Sequence, residues 1–313
     1  MSALPFDRRR AGAFSAEPMP PDLAARFFAM PSPFETEAGT LLLREPPTAS
    51  AGELRARLLA GRYDRPFVVD DGELRYLYFD TRLMQSAMRI AAPDALELRY
   101  TRKMMSFLLF QPRPARIALI GLGGGSLLKF CRRRLPEAHF TAVEIDADVL
   151  AFGDAFALPP PGPLLEIVQG DGGEWLAAAE PGLDALLVDA FDAHGFASGL
   201  AGRDFLRCAW DRLAAKGVLV INLAGEGACY AGLIAAAMDA FDEQVIVVPV
   251  PEDGNHVLFA FRERHFAPRW RWLHSHAKEL RARHGLDFPA FAQKIERAAR
   301  LSVARGLAGR RGG

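Results

Sequence analysis

The hydrophobic pattern changes character along the chain. Between residues 66 and 90, short apolar runs alternate with polar residues, and Asp71-Gly72 between two of these runs is typical of a β-hairpin turn. From residue 100 onward, near-continuous apolar runs alternate with longer amphipathic stretches. Such runs are typical of strands that a parallel sheet buries on both faces, with helices as their connections.

These patterns divide the chain into four predicted segments. Prolines cluster in residues 1–50, which predicts a mostly irregular lead-in. Residues 51–99 predict a short helix and a small β-rich domain, residues 100–262 an α/β domain, and residues 263–313 a helical tail. Within the α/β domain, strands are predicted at 117–120, 140–144, 164–168, 185–189, 218–222, 244–250 and 256–261. Helices are predicted between them at 126–134, 148–156, 174–179, 203–213 and 228–241.

The last two predicted strands are joined by only a few residues, 251–255. A parallel crossover needs about a dozen residues or more, so this connection predicts an antiparallel last strand. The fold class predicted from these patterns is therefore α/β, with a mostly parallel sheet that ends in one antiparallel strand.

Composition narrows the range of partners. The chain has 38 Lys+Arg and 38 Asp+Glu, 50% hydrophobic residues and three cysteines without metal-like spacing. Zero net charge argues against binding to nucleic acid or membrane by bulk electrostatics, and the amino end has no apolar signal core. We expect a cytoplasmic protein with no metal site.

The net charge of zero is a cancellation between two parts of the chain. Residues 262–313 hold 13 Lys+Arg and 4 Asp+Glu, and the remaining residues hold 25 and 34. The body of the protein is therefore acidic and the tail is basic. We expect the tail to dock on the body, on a second subunit or on an acidic partner.

A glycine-rich loop follows the first strand of the α/β domain. Gly121, Gly123 and Gly125 permit a tight turn and a close approach of a ligand to the main chain. Ser126 stands where a dinucleotide-binding fingerprint has another glycine, which favours a nucleoside without a pyrophosphate. The alternative is a strand–helix turn that binds no ligand.

Carboxylates follow the next three strands, at the edge where open α/β sheets bind ligands. Glu144 ends the second strand and is placed to accept hydrogen bonds from two ribose hydroxyls. Asp171, followed by Gly172, is placed to accept from an adenine amino group. Asp189 and Asp192 follow the fourth strand and form a candidate pair for proton transfer and cation binding. A solvated strand end and an Asp-Gly turn are the structural alternatives for Glu144 and Asp171.

The order of these motifs resembles the spermidine synthase (polyamine aminopropyltransferase) family over residues 65–262. The resemblance implies a Rossmann-like, methyltransferase-type domain with an antiparallel last strand, preceded by a small β domain. Members of that family transfer an aminopropyl group from decarboxylated S-adenosylmethionine to a polyamine amine. The resemblance also implies no permanently bound cofactor and assembly as a homo-oligomer.

The resemblance assigns roles to individual residues. It places Glu144 at the ribose, Asp171 at the adenine, Asp189 as the acid–base group at the attacking amine and Asp192 as a binder of that amine. Two further positions would contribute to the substrate pocket: Gln85 from the small β domain, and Tyr100, which opens a Tyr-x-Glu segment in the family.

Several positions depart from the family pattern, two of them where the substrates are expected to bind. Ser126 replaces an aspartate that contacts the aminopropyl end of the donor in the family, and Arg102 replaces the acid of the Tyr-x-Glu segment. An S-adenosylmethionine-dependent methyltransferase, in which Arg102 or Ser126 meets the donor carboxylate, is therefore an alternative. A non-catalytic nucleoside-binding protein on the same fold is a second alternative.

Overall fold

The chain contains a small antiparallel sheet and a larger mixed sheet. The computed structural model describes residues 26–34, 38–81, 84–192, 195–224 and 227–309, and only the main chain at 192, 195, 227–229 and 302–309. In this part of the chain no helix is long and apolar enough to cross a bilayer.

The first sheet has five antiparallel strands in chain order. They are β1 (Phe28–Pro31), β2 (Thr40–Leu43), β3 (Phe67–Asp70), β4 (Leu74–Tyr78) and β5 (Met84–Arg89). Helix α1 (Ala51–Leu59) connects β2 to β3, and the Ser50 hydroxyl accepts a hydrogen bond from the Glu53 amide at its start.

Residues 1–50, predicted to be mostly irregular, contain two short strands in their described part. Residues 28–31 pair with 40–43, and this hairpin extends the small sheet. Pro31 sits at the end of β1, the edge strand, where a missing amide donor costs no hydrogen bond within the sheet. The proline clusters therefore mark the ends of short strands in the described residues of this segment.

The second sheet has seven strands in the order β13-β14-β12-β9-β6-β7-β8. Strands β6 to β9 and β12 pair in parallel, whereas β14 is antiparallel to both neighbours, as predicted. The strand bounds are β6 Arg116–Ile120, β7 His139–Glu144, β8 Leu165–Gln169, β9 Leu183–Val188, β12 Leu213–Ala224, β13 Val245–Val250 and β14 Asn255–Phe261. A short hairpin of β10 (Phe191–Asp192) and β11 (Gly195–Phe196) follows β9. The predicted Rossmann-like α/β fold is confirmed.

Helices cover both faces of the seven-stranded sheet. The helix bounds are α2 Arg99–Met104, α3 Ser126–Arg134, α4 Ala147–Ala151, α5 Gly172–Ala178, α6 Arg203–Arg212, α7 Gly227–Ala240, α8 Trp270–His284 and α9 Phe288–Gly309. A 3₁₀ segment, Met105–Leu109, continues α2, and another, Ser198–Leu200, precedes α6. The predicted helix at 148–156 is shorter than expected and ends at Ala151.

The basic tail docks on the body of the same chain. Leu273, Ala277 and Leu280 of α8 and Phe288 of α9 are buried in one core with the 3₁₀ segment and the large sheet. Their spacing places one apolar stripe of α8 on the core. Of the three expected arrangements for the tail, docking on the body is the one that the structure contains.

The small sheet buries both of its faces. One face carries its own core, and the other packs Leu42, Val68 and Leu77 against Phe152 and Phe156, which follow β7. This contact brings β5 over the glycine-rich loop that follows β6. The small sheet therefore covers part of the edge where the parallel strands end.

Candidate active site

The predicted site residues converge at the carboxyl edge of the parallel strands. Main-chain hydrogen bonds extend the pairing beyond the strands, from the Gly121 amide to the Val143 carbonyl (2.9 Å) and from the Asp189 amide to the Ile120 carbonyl (2.9 Å). These bonds hold the loop after β6 between the ends of β7 and β9. Neighbouring strand ends, rather than sequence proximity, assemble the site.

Glycine is required where the loop passes β9. Gly121 has φ +87°, and a Cβ there would lie 2.2 Å from the carbonyl oxygen of Asp189. Gly125 has φ +69°, and a Cβ there would lie 2.0 Å from the Leu158 side chain. Gly123 has φ +52°. The predicted glycine positions therefore follow from backbone conformation and close packing.

Glu144 is buried at the end of β7 and holds the glycine loop. Its Oε2 accepts from the amides of Leu122 (2.9 Å) and Gly123 (3.2 Å), and its Oε1 accepts from the Asp146 amide (3.0 Å). Hydrogen bonds from several amides stabilise a buried carboxylate. Glu144 is where a ribose-binding group was predicted, and in this structure it also orders the loop.

Asp171 begins helix α5. Its Oδ1 accepts from the amides of Gly173 (2.8 Å) and Glu174 (2.9 Å), which are two of the free amides of the first turn. The sequence signal for this role was Asp171 followed three residues later by Glu174, a capping pattern. Gly172 packs closely, since a Cβ there would lie 2.2 Å from the Ile120 side chain. The adenine-binding role of Asp171 stays a prediction.

Asp189 lies directly after β9 and has a neutral donor on each carboxylate oxygen. The Tyr100 hydroxyl donates to Oδ2 (3.1 Å), and the Asn222 amide donates to Oδ1 (2.8 Å). Asn222 is itself oriented by the Asn255 amide, which donates to its Oδ1 (2.8 Å). Residues from α2, β12 and β14 therefore fix one carboxylate at the sheet edge.

Burial changes the proton affinity of this group. It raises the pKa of the Asp189 carboxyl to about 6, although the hydrogen bonds from Asn222 and Tyr100 lower it. Burial and the neighbouring Asp189 carboxylate raise the pKa of the Tyr100 hydroxyl well above its usual value. At neutral pH Asp189 is therefore ionised but accepts a proton more readily than an exposed aspartate.

Three residues around Asp189 were absent from the sequence-based site. Asn222 was predicted as a strand end, and its signal was a single amide after the apolar run of residues 218–221. Asn255 begins the antiparallel strand. Asp253, in the turn before that strand, accepts a hydrogen bond from the Tyr100 amide (2.7 Å) at the first turn of α2. Asp253 and Asn255 could not be predicted as site residues from the sequence, because their contacts depend on how β14 pairs with its neighbours.

The small sheet contributes a direct contact to the glycine loop. Ser86 of β5 accepts a hydrogen bond from the Gly124 amide (3.0 Å). Gln85 stands in a β-bulge, since Leu77 pairs with Ser86 and Tyr78 pairs with Met84. Bulges reorient side chains and occur often beside active sites. Gln85 is half-buried next to the residue that touches the loop.

Comparison with known proteins gives the family. No family model matches the chain. A polyamine aminopropyltransferase of Chromobacterium violaceum is 35% identical over 230 residues, which cover 73% of this chain and 88% of that protein. One of Neisseria meningitidis is 32% identical over 223 residues, which cover 71% of this chain and 85% of that protein.

The chain belongs to the polyamine aminopropyltransferase family. It is therefore a transferase of the aminopropyl-transferring type. This agrees with the resemblance seen in the motifs.

Solved structures agree with this fold. A probable spermidine synthase from Corynebacterium glutamicum matches with a TM-score of 0.57 at 18% identity, covering 74% of this chain and 91% of that one. A spermidine synthase in complex with the transition-state analogue AdoDATO matches at 0.51 and 15%, covering 64% and 71%. Human methyltransferase-like protein 13 in complex with SAH matches at 0.52 and 20%, covering 65% and 93%. At these identities the likeness concerns the fold alone.

Arg102, one of the departures from the aminopropyltransferase pattern, forms its hydrogen bonds outside the predicted acceptor pocket. Its Nε donates to the Leu96 carbonyl (2.5 Å) and its Nη2 to the Glu97 carbonyl (3.1 Å). These carbonyls precede α2, whereas Tyr100 on the same helix reaches Asp189. Main-chain carbonyls therefore hold the Arg102 guanidinium in this structure, and its contact with a donor carboxylate stays a prediction.

Ser126 and Asp192 are the remaining positions that the sequence analysis named. Ser126 is the first residue of α3 and is half-buried directly after Gly125. Asp192 lies in β10, whose main chain pairs with β11, and its side chain is outside the described part of the structure. Among the residues that the structure describes, no cluster of three or more His, Cys, Asp or Glu could hold a metal ion.

Proposed function

We propose that this aminopropyltransferase moves an aminopropyl group from decarboxylated S-adenosylmethionine to an amine of a polyamine or related molecule, with Asp189 as proton acceptor. The observation that carries the proposal is the Asp189 carboxylate, held between the Tyr100 hydroxyl and the Asn222 amide. It lies where the glycine loop and the strand ends meet. Tyr100, Gln85 and Asp192 are the proposed substrate-binding residues.

The donor would bind along the glycine loop. The proposed contacts are the loop main chain, Glu144 at the ribose, and Asp171 with Gly172 at the adenine. In support, Asp171 uses only Oδ1 for the helix start, and among the described residues Oδ2 takes no hydrogen bond. Two solved structures of similar fold, one in complex with AdoDATO and one with SAH, support an adenosyl co-substrate.

The chemistry needs a neutral amine beside an electrophilic carbon. The acceptor nitrogen attacks the carbon attached to the sulfonium, the C–N bond forms, the C–S bond breaks, and methylthioadenosine leaves as a neutral thioether. A free alkylamine has a pKa near ~10.4, by analogy with lysine, so its proton must be removed. Carboxylates attract the ammonium ion but stabilise its protonated form, so one of them must accept the proton in position.

Asp189 suits this role because of its surroundings. A carboxylate whose pKa burial raises to about 6 is ionised at neutral pH and takes a proton more easily than a solvated one. Tyr100 and Asn222 donate from two sides and thereby fix its position. Placement of the reacting groups is the larger part of the rate gain for two such reactants.

Titration calorimetry and product analysis test the proposal. We expect heat on titration with decarboxylated S-adenosylmethionine, weaker binding of S-adenosylmethionine, and a product of putrescine, cadaverine or spermidine that is heavier by one aminopropyl group. Asp189→Asn should reduce turnover by about 1,000-fold and leave donor binding unchanged. The matched control is Asp211→Asn, an exposed residue near the end of α6, which should be fully active.

Other outcomes would replace the proposal. Tighter binding of S-adenosylmethionine together with methylated product would assign methyl transfer instead. Heat with the donors but no product from any amine would favour the non-catalytic binding protein. An active Asp189→Asn variant would remove this residue from the proton-accepting role.

A cytoplasmic location and a homo-oligomeric assembly belong to the same proposal. Cys131 and Cys208 are free thiols, which supports a reducing compartment. Light scattering during size-exclusion chromatography measures the assembly, and a mass of one chain at micromolar concentration would contradict it.

A further inference from the structure

A cavity lies beside α2, next to the part of the helix that contacts Asp189. It has a volume of about 710 Å³ and lies between α2, the β13–β14 turn, the end of α3 and the tail helices. Lys103 and Arg102 of α2 line it, whereas Tyr100 of the same short helix contacts Asp189. Among the residues described as lining it, Arg102 alone was a candidate in the sequence analysis, in the methyltransferase alternative.

Two buried polar side chains line this cavity without a hydrogen-bond partner. Lys103 is 3% exposed and His284 is 1% exposed. Among the described residues, the Lys103 Nζ and both ring nitrogens of His284 have no partner. The Lys103 ammonium lies 4.3 Å from the ring centroid of Phe291, which supplies a weak attraction only. Buried polar groups in proteins are nearly always paired, so a missing partner is expected here.

The acids in the cavity are already paired. Glu252 lies 3.9 Å from Arg99 and 4.0 Å from Lys294. Asp94 and Asp287 pair with Arg133 (3.9 Å) and Arg281 (3.8 Å), two side chains that are not described as lining the cavity.

Positive charge therefore remains in excess. Arg134 also lines the cavity, and it has no ion pair among the described residues. Lys103 is buried and Arg134 is exposed, and neither has an ion pair among the described residues. The space beside them favours a negatively charged ligand over a cation.

The lowered pKa values of Lys103 and His284 agree with a shortage of negative charge around them. Burial, assisted by Lys294, lowers the pKa of Lys103 to about 8, and Glu252 and Asp287 offset this only in part. Burial, with Arg283 and Arg134, lowers the pKa of His284 to about 4. An anion in the cavity would favour the protonated form of each group and reverse both shifts.

We propose that this cavity binds a small organic anion, with its phosphate or carboxylate oxygens on Lys103 and His284 and its apolar part on Phe130 and Phe291. The ammonium donates to the anionic oxygens, and neutral His284 donates one ring N–H. Phe130 and Phe291 supply the apolar wall. Phosphate and carboxylate ligands share this chemistry, and the experiment separates them.

The cavity is connected to the active site through α2. Lys103 lies one turn after Tyr100 on this helix. Glu252, which lines the cavity, precedes Asp253, whose carboxylate accepts a hydrogen bond from the Tyr100 amide (2.7 Å). A ligand on Lys103 therefore contacts the same helix that places the Tyr100 hydroxyl on Asp189. We expect the ligand to change turnover, an effect that rests on the proposed function, whereas binding itself does not.

Calorimetry with the full chain at pH 7, in the absence of substrates, tests the site. The probes are phenyl phosphate, benzoate, inorganic phosphate and, as the uncharged control, phenol. We expect phenyl phosphate or benzoate to bind and phenol not to bind. The tighter of the two anions identifies the headgroup. Inorganic phosphate should bind about tenfold more weakly than phenyl phosphate, because it lacks the apolar part.

Substitutions of Lys103 and His284 test whether the anion binds in this cavity. Lys103→Met should weaken binding by about tenfold or more, and His284→Phe should weaken it by a smaller factor. The matched control is Lys278→Met on the exposed side of α8, which should bind like the unchanged protein. Both apolar replacements suit a buried position, and a cooperative thermal unfolding transition shows that they fold.

Three results would overturn the site: no heat with any anion, equal binding of phenol and phenyl phosphate, or unchanged binding in Lys103→Met. Donor titration is a separate measurement. A protein that binds the anion but transfers no aminopropyl group would refute the proposed function and leave this site standing.

Discussion

Two buried charged groups beside helix α2 differ in how they are paired. Each oxygen of Asp189 receives a neutral donor, from Tyr100 and from Asn222. The Lys103 ammonium, one turn after Tyr100, has no hydrogen-bond partner among the described residues, and Lys103 lines a cavity. Full pairing fixes a group in position, whereas an unpaired buried charge calls for a partner that the described residues do not supply.

The Asp189 site depends on close main-chain approach, and Gly121→Ala should break it with the largest effect. The new Cβ would lie 2.2 Å from the Asp189 carbonyl oxygen at φ +87°. We expect a loss of about 3 kcal/mol in the free energy of unfolding, measured by urea denaturation. Gly232→Ala in exposed helix α7, where no atom lies within 4 Å of the new Cβ, should stabilise the protein slightly. Equal effects of the two changes would contradict the close approach.

Asp189→Asn should make the protein more stable at neutral pH. The pKa of Asp189 is about 6 in the folded state and about 4 in an unfolded chain, so the folded state binds more protons between these values. Stability from this group is therefore lost as the pH rises from about 4 to above 6, and the variant avoids this loss. We expect a gain of about 2 kcal/mol at pH 7.5 that vanishes below about pH 4. The Asp211→Asn control should show no such pH dependence, and a destabilised Asp189→Asn protein would refute the raised pKa.

Tyr100→Phe should raise the pH below which activity falls, the acid limb of the plot of kcat/KM against pH. The Tyr100 hydrogen bond lowers the pKa of Asp189, so its loss moves the limb from about 6 to higher pH. We expect about a tenfold loss of kcat/KM at neutral pH, equivalent to about 1.4 kcal/mol. Tyr63→Phe removes a comparable hydroxyl–carboxylate bond, to Glu45 (3.1 Å), in the small sheet. That control should leave the profile unchanged, and an identical shift in both variants would point to general destabilisation.

Lys103→Met should also be stabilising. The pKa of Lys103 is about 8 in the folded state and about 10.4 in an unfolded chain, so the unfolded state binds more protons between these values. The unchanged protein therefore gains stability as the pH rises from about 8 to about 10. We expect Lys103→Met to be more stable by up to about 3 kcal/mol at pH 7, with the difference fading by about pH 10. A loss of stability at pH 7 relative to Lys278→Met would show that the ammonium is satisfied.

The sequence predicted the sheet well because its parallel strands are buried on both faces. Apolar runs at 117–120 and 140–144 fall within β6 and β7, and the carboxylates that end such runs lie at the carboxyl edge of the sheet. The glycine loop was equally visible, since Gly121 and Gly125 are required by backbone conformation. Local residue type determines these features directly.

The partners of Asp189 and the cavity beside α2 were not predictable in the same way. Asn255 and Asp253 reach the site because β14 runs antiparallel beside β12. Lys103 and His284 are buried because the tail docks against α2, and a sequence does not show which charged side chains a distant helix will cover. Long-range packing, rather than local propensity, sets the environment of these groups.

The docked tail has a consequence for how the protein is made. Leu280, Phe288 and Ile295 belong to the core that also holds Met104 and Leu108, yet they are the last core residues to leave the ribosome. Until they emerge, the apolar side chains of Met104 and Leu108 stay exposed to solvent, and the helix that carries Tyr100 lacks part of its packing. Chains that terminate early would therefore expose this apolar surface. They would bind chaperones, aggregate or be degraded by proteases.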